Sequence, residues 1–336
     1  MGKRISRVRN LLTDVEGVLV GHAHDPRLGS GATAIVFDKP AVASIDVRGG
    51  GPGTHETDLL DPAMTVEQID AIALSGGSAF GLEAASGIQA WMREHGRGFA
   101  IREARIPIVP GAVLFDLLAG GDKNWGRYSP YRDLGYTAAA AAAKDFALGS
   151  VGAGLGATTV NLKGGLGSAS AVASGGHIVG ALAAVNPTGS VVAGDGPWFW
   201  AAPLELDGEF GGLGWPSQLP PAALVPRTKA SALESTTPAV VATDAALSKA
   251  QVWRLAVMAQ TGMARAIYPV HTPLDGDVVF AVATGRKPLG DPFIAMAELG
   301  AIAANTLARA IARAVFEATP LPFPGALPSW RQKFGK

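Results

Sequence analysis

The sequence predicts a layered α/β fold in which helices cover a sheet, and three features carry that reading. Short apolar runs bounded by Gly, Pro, Asp or Asn recur at Gly17 to Val20, Thr33 to Phe37, Ala41 to Val47, Ile178 to Val185 and Val191 to Ala193, which is the strand pattern. Longer segments carry apolar residues at spacings of three and four, which is the helix pattern. The last third of the chain alternates strand, helix, strand, helix.

Each element has a local reason. Between Ser75 and Gly96, Phe80, Ala84, Ile88 and Trp91 fall on one face and predict a helix buried on that side. Tyr136 to Leu148, with Thr137 as its cap and alanines at 138–143, is the second expected helix. From Gly194 to Leu233, Pro, Gly, Trp and small polar residues predict a long irregular connection, a kind of segment that is often functional or cut. Ala239 to Thr243 then reads as a buried strand whose leading Pro238 needs no ladder donor. Ser248 and Gln251 form a capping box for a helix striped by Val252, Leu255, Ala256, Ala259 and Met263. Val278 to Thr284 is the next strand, with Asp275-Gly276-Asp277 at its mouth, and Asp291 to Glu317 is a long Ala-rich helix stopped by Pro320.

Composition narrows the function. The 336 residues allow one large domain or two small ones, and one, spanning 1–336, is expected. Charged residues are 17% of the chain and cancel at 28 of each sign, so no net field draws it to nucleic acid or to an anionic membrane. The chain has no cysteine, which removes disulfides, thiolate metal sites, iron–sulfur clusters and a cysteine nucleophile. The amino terminus reaches Asp14 before an apolar run develops, and no stretch approaches ~18 uninterrupted apolar residues. A soluble, cytoplasmic protein without a membrane partner is expected. The histidines at 22, 24, 55, 95, 177 and 271 contain no HExxH spacing, so no metal site and no cofactor is expected. There is no G-x-S-x-G elbow and no Walker loop, and Gly152, Gly154 and Gly156 read as close-packing glycines.

Hydroxyls and carboxylates remain. In Glu234-Ser235-Thr236-Thr237-Pro238 three hydroxyl side chains meet the start of a buried strand. Taken alone, such residues more often serve turns. A threonine freed at a new amino terminus, however, carries its nucleophile and its general base on one residue. The amine's ordinary pKa of ~7.7–8 suits that task. Asp275 and Asp277 read locally as a solvated turn, and functionally as carboxylates that hydrogen-bond the threonine hydroxyl or amine and orient it. Asn186, ahead of Pro187, reads as turn chemistry or as a fixed amide donor for a developing oxyanion.

With these residues in place, the sequence resembles the DmpA-type aminopeptidases, a family of amino-terminal-nucleophile hydrolases that includes L-aminopeptidase/D-amidase-esterases and nylon-oligomer hydrolases. The likeness runs collinearly through NLLTDVEGVLVGHA (10–23), DVRGGGPGT (46–54), LSGGSAFGLEAASG (74–87), LKGGLGSAS (162–170), AVNPTG (184–189), STTPAVVATDAALSKAQ (235–251) and PVHTPLDGDVVFAVATG (269–285). It implies an αββα-type layered sandwich, and a precursor that cuts itself between Ser235 and Thr236 into an α chain 1–235 and a β chain 236–336. Thr236 then becomes the nucleophile, Asp275 and Asp277 its acidic partners, Asn186 the oxyanion-stabilising residue, and Lys163 a lysine near the nucleophile. A small peptide or amide substrate is implied, as is a homo-oligomer, with a tetramer favoured. Three positions depart from the family pattern. Phe115 replaces a common tyrosine and Val113 a glutamate of the β-aminopeptidases, which places both at the expected substrate pocket, while Ser235 stands where relatives carry Gly or Asn. An amidase or aminopeptidase of broad specificity is the leading expectation. The rivals are a nylon-oligomer-type endohydrolase, an acyltransferase of the ornithine-acetyltransferase type and an unprocessed, non-catalytic scaffold.

Overall fold

The computed structural model describes residues 9–229 and 235–335. The part of the amino-terminal reading that rests on residues 1–8, and the expectations at Leu233 and Glu234, lie outside the described residues. In chain order the elements are β1 (Val18–Asp25), β2 (Ser30–Val47), β3 (Thr54–His55), β4 (Gln68–Ser75), α1 (Glu83–Glu94), β5 (Phe99–Ile101), β6 (Ala104–Ile106), β7 (Gly111–Val113), α2 (Tyr131–Ala140), β8 (Gly165–Val172), β9 (Ile178–Val185), β10 (Pro238–Ala245), α3 (Lys249–Ala266), β11 (Val278–Lys287), α4 (Pro292–Phe316) and α5 (Trp330–Phe334).

The main ladder runs β3-β7-β4-β2-β11-β10-β9-β8, with β1 paired to β2, while β5 and β6 form a separate hairpin. β2 is the hinge of this arrangement. Its first half, Ser30 to Phe37, pairs with β1, and its second half, Val42 to Val47, pairs with β11. Between them lies the exposed Asp38-Lys39-Pro40, and the register against β4 slips between Val36 and Ala41. One long strand thereby passes from one sheet layer to the other.

Alternation along the strands sorts their side chains into separate cores, as period-two geometry requires. Ala34 and Val36 of β2 pack with Ile88 and Met92 of α1 and Ala138 and Ala139 of α2. Ile35 and Phe37, on the opposite face, pack with Val240, Ala242, Val278, Phe280 and Val282 of β10 and β11. The other faces of those strands, Ala239, Val241, Val279 and Ala281, pack with Leu255 and Ala259 of α3 and Leu307 and Ile311 of α4. The result is four layers: helices, sheet, sheet, helices. Burial of each large side chain in these layers contributes roughly 1.5–3 kcal/mol.

The expected strands at 33–37, 41–47, 178–185, 239–243 and 278–284 fall within β2, β9, β10 and β11, and the one at 17–20 overlaps β1 from Val18 onward. The capping box of Ser248 and Gln251 opens α3, and Asp291 caps α4. Other boundaries differ. The segment from Ser75 to Gly96 ends β4 and makes a 3-10 turn over Ser78–Leu82 before α1 begins. The second helix starts at Tyr131 and ends at Ala140, so Thr137 lies inside it rather than capping it. Its alanine run leaves the helix because Ala143 exchanges two backbone hydrogen bonds of 3.0 Å with Val20 of β1, which outweighs the helix propensity of alanine. Val191 to Ala193 forms one isolated bridge, Val192 to Phe199, instead of a strand. The irregular connection contains the 3-10 turns Ala202–Leu204 and Pro221–Leu224 and, among its described residues, no strand.

α4 is long and apolar enough to cross a membrane by length and composition, with a mean hydropathy of 1.3 and 61% of that window buried inside the protein. It fills the role of a core helix, lying directly on β8, where a Cβ at Gly167 would run into the Ala310 carbonyl. Gly167→Val is therefore expected to lower the unfolding free energy by ~1–3 kcal/mol or more, read as a fall in urea midpoint with the far-UV spectrum retained.

Candidate active site

Topology brings three sequence segments to one end of the sheet. β10 and β11 run parallel, so Ser235-Thr236-Thr237 before β10 and Asp275-Gly276-Asp277 before β11 lie side by side. β9 runs antiparallel to β10, so its exit at Asn186 reaches the same place. Bridges between Asn186 and Thr236 and between Ser235 and Asp275 continue the ladder past the strand ends.

The Ser235–Thr236 peptide is buried and held on both sides. Thr236 N–H donates to the Asn186 carbonyl at 2.9 Å, and Gly276 N–H donates to the Ser235 carbonyl at 2.9 Å. The Thr236 hydroxyl, Oγ1, donates to that same Ser235 oxygen at 2.7 Å. Two donors on one carbonyl draw charge onto its oxygen and leave its carbon more open to attack. Space is tight: a Cβ at Gly276 would lie 2.5 Å from Thr236 Oγ1. The Arg48-Gly49-Gly50-Gly51 loop backs the Asp-Gly-Asp turn, with Gly51 N–H on Asp275 O at 2.8 Å and Arg48 N–H on Asp277 O at 3.0 Å.

The two aspartates are fully buried, not solvated. Asp277 accepts Thr237 N–H at 2.9 Å on one oxygen and His271 N–H and Nδ1 at 3.1 and 3.0 Å on the other. Asp275 accepts Thr188 N–H at 2.9 Å, Thr272 N–H at 3.0 Å and the Thr272 hydroxyl at 2.7 Å. Burial, followed by the charge of Asp277, pushes the Asp275 carboxyl above the usual carboxylate range. In the continuous chain the expected carboxylate-to-hydroxyl bond is thus replaced: both carboxylates bind the frame around Thr236, and the hydroxyl faces Ser235.

Asn186 joins this frame to a neighbouring cleft. Its Nδ2 donates to Phe115 O at 3.0 Å, while its Oδ1 accepts Thr158 N–H at 2.9 Å and Lys229 Nζ at 3.0 Å. The cleft has a volume of about 270 Å³, with Phe115, Leu118, Leu321 and Leu327 as apolar wall and Asp116, Lys163 and Lys229 as charged groups. Phe115 thus lines this cleft. Val113 does not: it is part of β7, pairs with Ser75 and packs against Gly53. Lys163 borders the cleft but turns its Nζ to the carbonyls of Gly154, Ala157 and Gly164, at 3.1, 2.7 and 2.8 Å. Lys229 and Asp116 escape sequence reasoning because neither belongs to a spacing pattern. Asp116 is wholly buried, accepts Ser30 Oγ at 2.6 Å and Gly77 N–H at 2.8 Å, and has its carboxyl pushed up by burial.

The model of peptidase family S58 matches residues 10–326. The chain belongs to peptidase family S58. An uncharacterized aminopeptidase of Mycobacterium tuberculosis is 44% identical over 348 residues, covering 97% of this chain and 98% of the relative. A 6-aminohexanoate-oligomer endohydrolase of Paenarthrobacter ureafaciens is 28% identical over 327 residues, covering 90% of this chain and 84% of the relative. Among solved structures, the L-aminopeptidase D-Ala-esterase/amidase of Ochrobactrum anthropi, described as a variant of the Ntn-hydrolase fold, superposes with a TM-score of 0.68 at 20% identity, over 97% of this chain and 94% of that one. The four-layer arrangement is thus the S58 form of the amino-terminal-nucleophile hydrolase fold, as the resemblance implies, and the chain is a peptide- or amide-bond hydrolase of S58 type.

Burial lowers the Lys163 ammonium to about 7, with the Asp116 charge acting against that shift and Lys229 adding to it. The unfolded chain holds this proton up to the ordinary lysine value of 10.5, so between these values the unfolded state binds more protons and stability rises with pH. Relative to Lys163→Met, the wild-type chain is expected to gain stability from roughly pH 7 to pH 9, measured as the difference between their urea midpoints. A constant difference would show that Lys163 keeps its proton throughout.

Proposed function

We propose that this S58 chain is a self-processing threonine hydrolase of small peptides and amides, with an acyl-enzyme on Thr236. The observation that carries the reading is the Thr236 hydroxyl on the carbonyl of the preceding residue while Gly276 N–H grips the same oxygen. In processing, Oγ1 attacks the Ser235 carbonyl carbon, the bond to Thr236 N breaks, and the hydroxyl proton passes to that nitrogen. The resulting ester is opened by water, leaving a Ser235 carboxylate and a free α-amine on Thr236. In turnover that amine takes the hydroxyl proton as Oγ1 attacks the substrate amide, the leaving amine departs with a proton, and water releases the acyl group. Asp275 and Asp277 hold the backbone on either side, Asn186 fixes Thr236 N, and Lys163 stiffens the cleft floor.

Apolar walls at Phe115, Leu118, Leu321 and Leu327 suit an acyl chain, and they support amide endohydrolysis of the nylon-oligomer type as the second reading. A homotetramer in the cytoplasm completes the proposal. Phe293 and Ile294 at the start of α4 are 85% and 72% exposed, and association of copies would cover them. Light scattering after size exclusion tests the tetramer.

Intact-mass spectrometry under denaturing conditions decides the central claim. The 34.2 kDa chain is expected to give two fragments, the smaller beginning at Thr236, whose masses sum to that of the intact chain plus one water, while Thr236→Ala stays whole. An uncut wild-type chain after long incubation would favour a silent scaffold. Transfer of the acyl group to an added amino acid in preference to water would favour an acyltransferase. Gly276→Ala is expected to slow the cut at least tenfold, because its Cβ would displace Oγ1 from the Ser235 carbonyl. The readout is a time course on denaturing gels.

A further inference from the structure

Lys229 approaches the nucleophile through a shared acceptor. Its Nζ lies 3.5 Å from the Asn186 backbone oxygen, the same oxygen that accepts Thr236 N–H at 2.9 Å. The ammonium and the Thr236 nitrogen cannot be farther apart than the sum of those two distances. Lys229 is held there by contacts that do not pass through the Ser235–Thr236 bond. Its own N–H donates to Thr188 O at 3.2 Å, and two residues earlier Arg227 pairs with Asp195 at 2.8 Å. Its Nζ also donates to Asn186 Oδ1.

We infer that Lys229 is a positioning residue whose ammonium keeps the freed Thr236 α-amine in its unprotonated, proton-accepting form. The inference rests on the self-processing reading above. The need for such a cation follows from the surroundings of that amine. Asp277 sits on Thr237 N–H, Asp275 lies beside Ser235 through the adjoining bridge, and Asp116 faces the cleft. An opposite charge favours the protonated amine, which cannot accept the hydroxyl proton. His271 is spent on Asp277, and Lys163 is turned to three carbonyls. Among the described residues, Lys229 is the cation that shares an acceptor with Thr236 N. At this separation a like charge in a partly buried site shifts an amine by about one pH unit or more.

The test uses processed enzyme and reads carbamylation of the Thr236 amine by cyanate, which consumes only the free base, between roughly pH 5 and pH 9. Mass spectrometry of the fragment's amino-terminal peptide gives the titration midpoint without a substrate. In Lys229→Met the midpoint is expected to rise by about one unit, while Lys229→Arg stays with the wild type. Because the chain contains no cysteine, Lys229→Cys can be alkylated at one place with 2-bromoethylamine. The thiol variant should show the raised midpoint, and aminoethylation should restore it. An unmoved midpoint in the Met variant, or an equal rise in the Arg variant, overturns the inference. So does failure of every neutral variant to process, which would place the ammonium in the cutting step. A wild-type chain with no fragment beginning at Thr236 would instead sink the self-processing reading itself.

Discussion

The whole site depends on one peptide unit held out of water between two strands. Thr236 N–H is bound by Asn186 and the Ser235 carbonyl by Gly276, so the unit joins Asn186 on one side and Asp275-Gly276 on the other. Such a grip is available only where a strand start is flanked by neighbours on both sides. β10 is such a strand, parallel to β11 and antiparallel to β9. An edge strand would offer one partner and leave the other polar group to solvent. The glycines of the Asp-Gly-Asp turn and of the Arg48-Gly49-Gly50-Gly51 loop follow from the same demand, since a Cβ at Gly49 would run into the backbone of Asp275 and Asp277.

That grip decides how charge is used. Two buried carboxylates two residues apart in one turn are costly unless their oxygens are bonded. Asp275 meets the cost with three donors from Thr188 and Thr272, and Asp277 with three from Thr237 and His271. Replacing either would strand buried N–H groups at about 1–3 kcal/mol each. The aspartates are thus committed to the frame. In the continuous chain the Thr236 hydroxyl proton rests on the Ser235 carbonyl oxygen at 2.7 Å, and the amide nitrogen of Thr236 is no base for it; a free amine at that position would be one.

Legibility in the sequence followed the strength of local pattern. β10, α3 and α4 are read because a short apolar run behind Pro238, a Ser248/Gln251 box and a long Ala-rich run from Asp291 agree with their burial. β8 is hidden because Gly165-Leu166-Gly167-Ser168-Ala169-Ser170 carries little hydrophobic signal, the small residues being there so that α4 can lie on its backbone. α2 is displaced in the reading because alanine propensity says nothing of the bridge between Ala143 and Val20. At the site, Ser235, Thr236, Asn186, Asp275 and Asp277 stand in compact motifs, and the fold brings them side by side. Lys229 stands in an irregular segment, and only the fold carries it to Asn186.

The layers also explain why a cut before β10 would leave the fold intact. β10 and β11 lie in the middle of the ladder, between β9 and β2, so segments on either side of residue 235 share the central core. Arg309 of α4 adds a buried tie, with bonds to Glu209 at 3.0 Å, Ser170 O at 2.9 Å and Asn10 Oδ1 at 2.8 Å. Every one of those partners precedes the Ser235–Thr236 bond. A break in one peptide there removes chain connectivity but no core contact, since the cost of separating the two segments is that of exposing the central sheet. The new amine would then remain at the fixed end of a buried strand, where its position, rather than its intrinsic reactivity, makes it a base for the hydroxyl beside it.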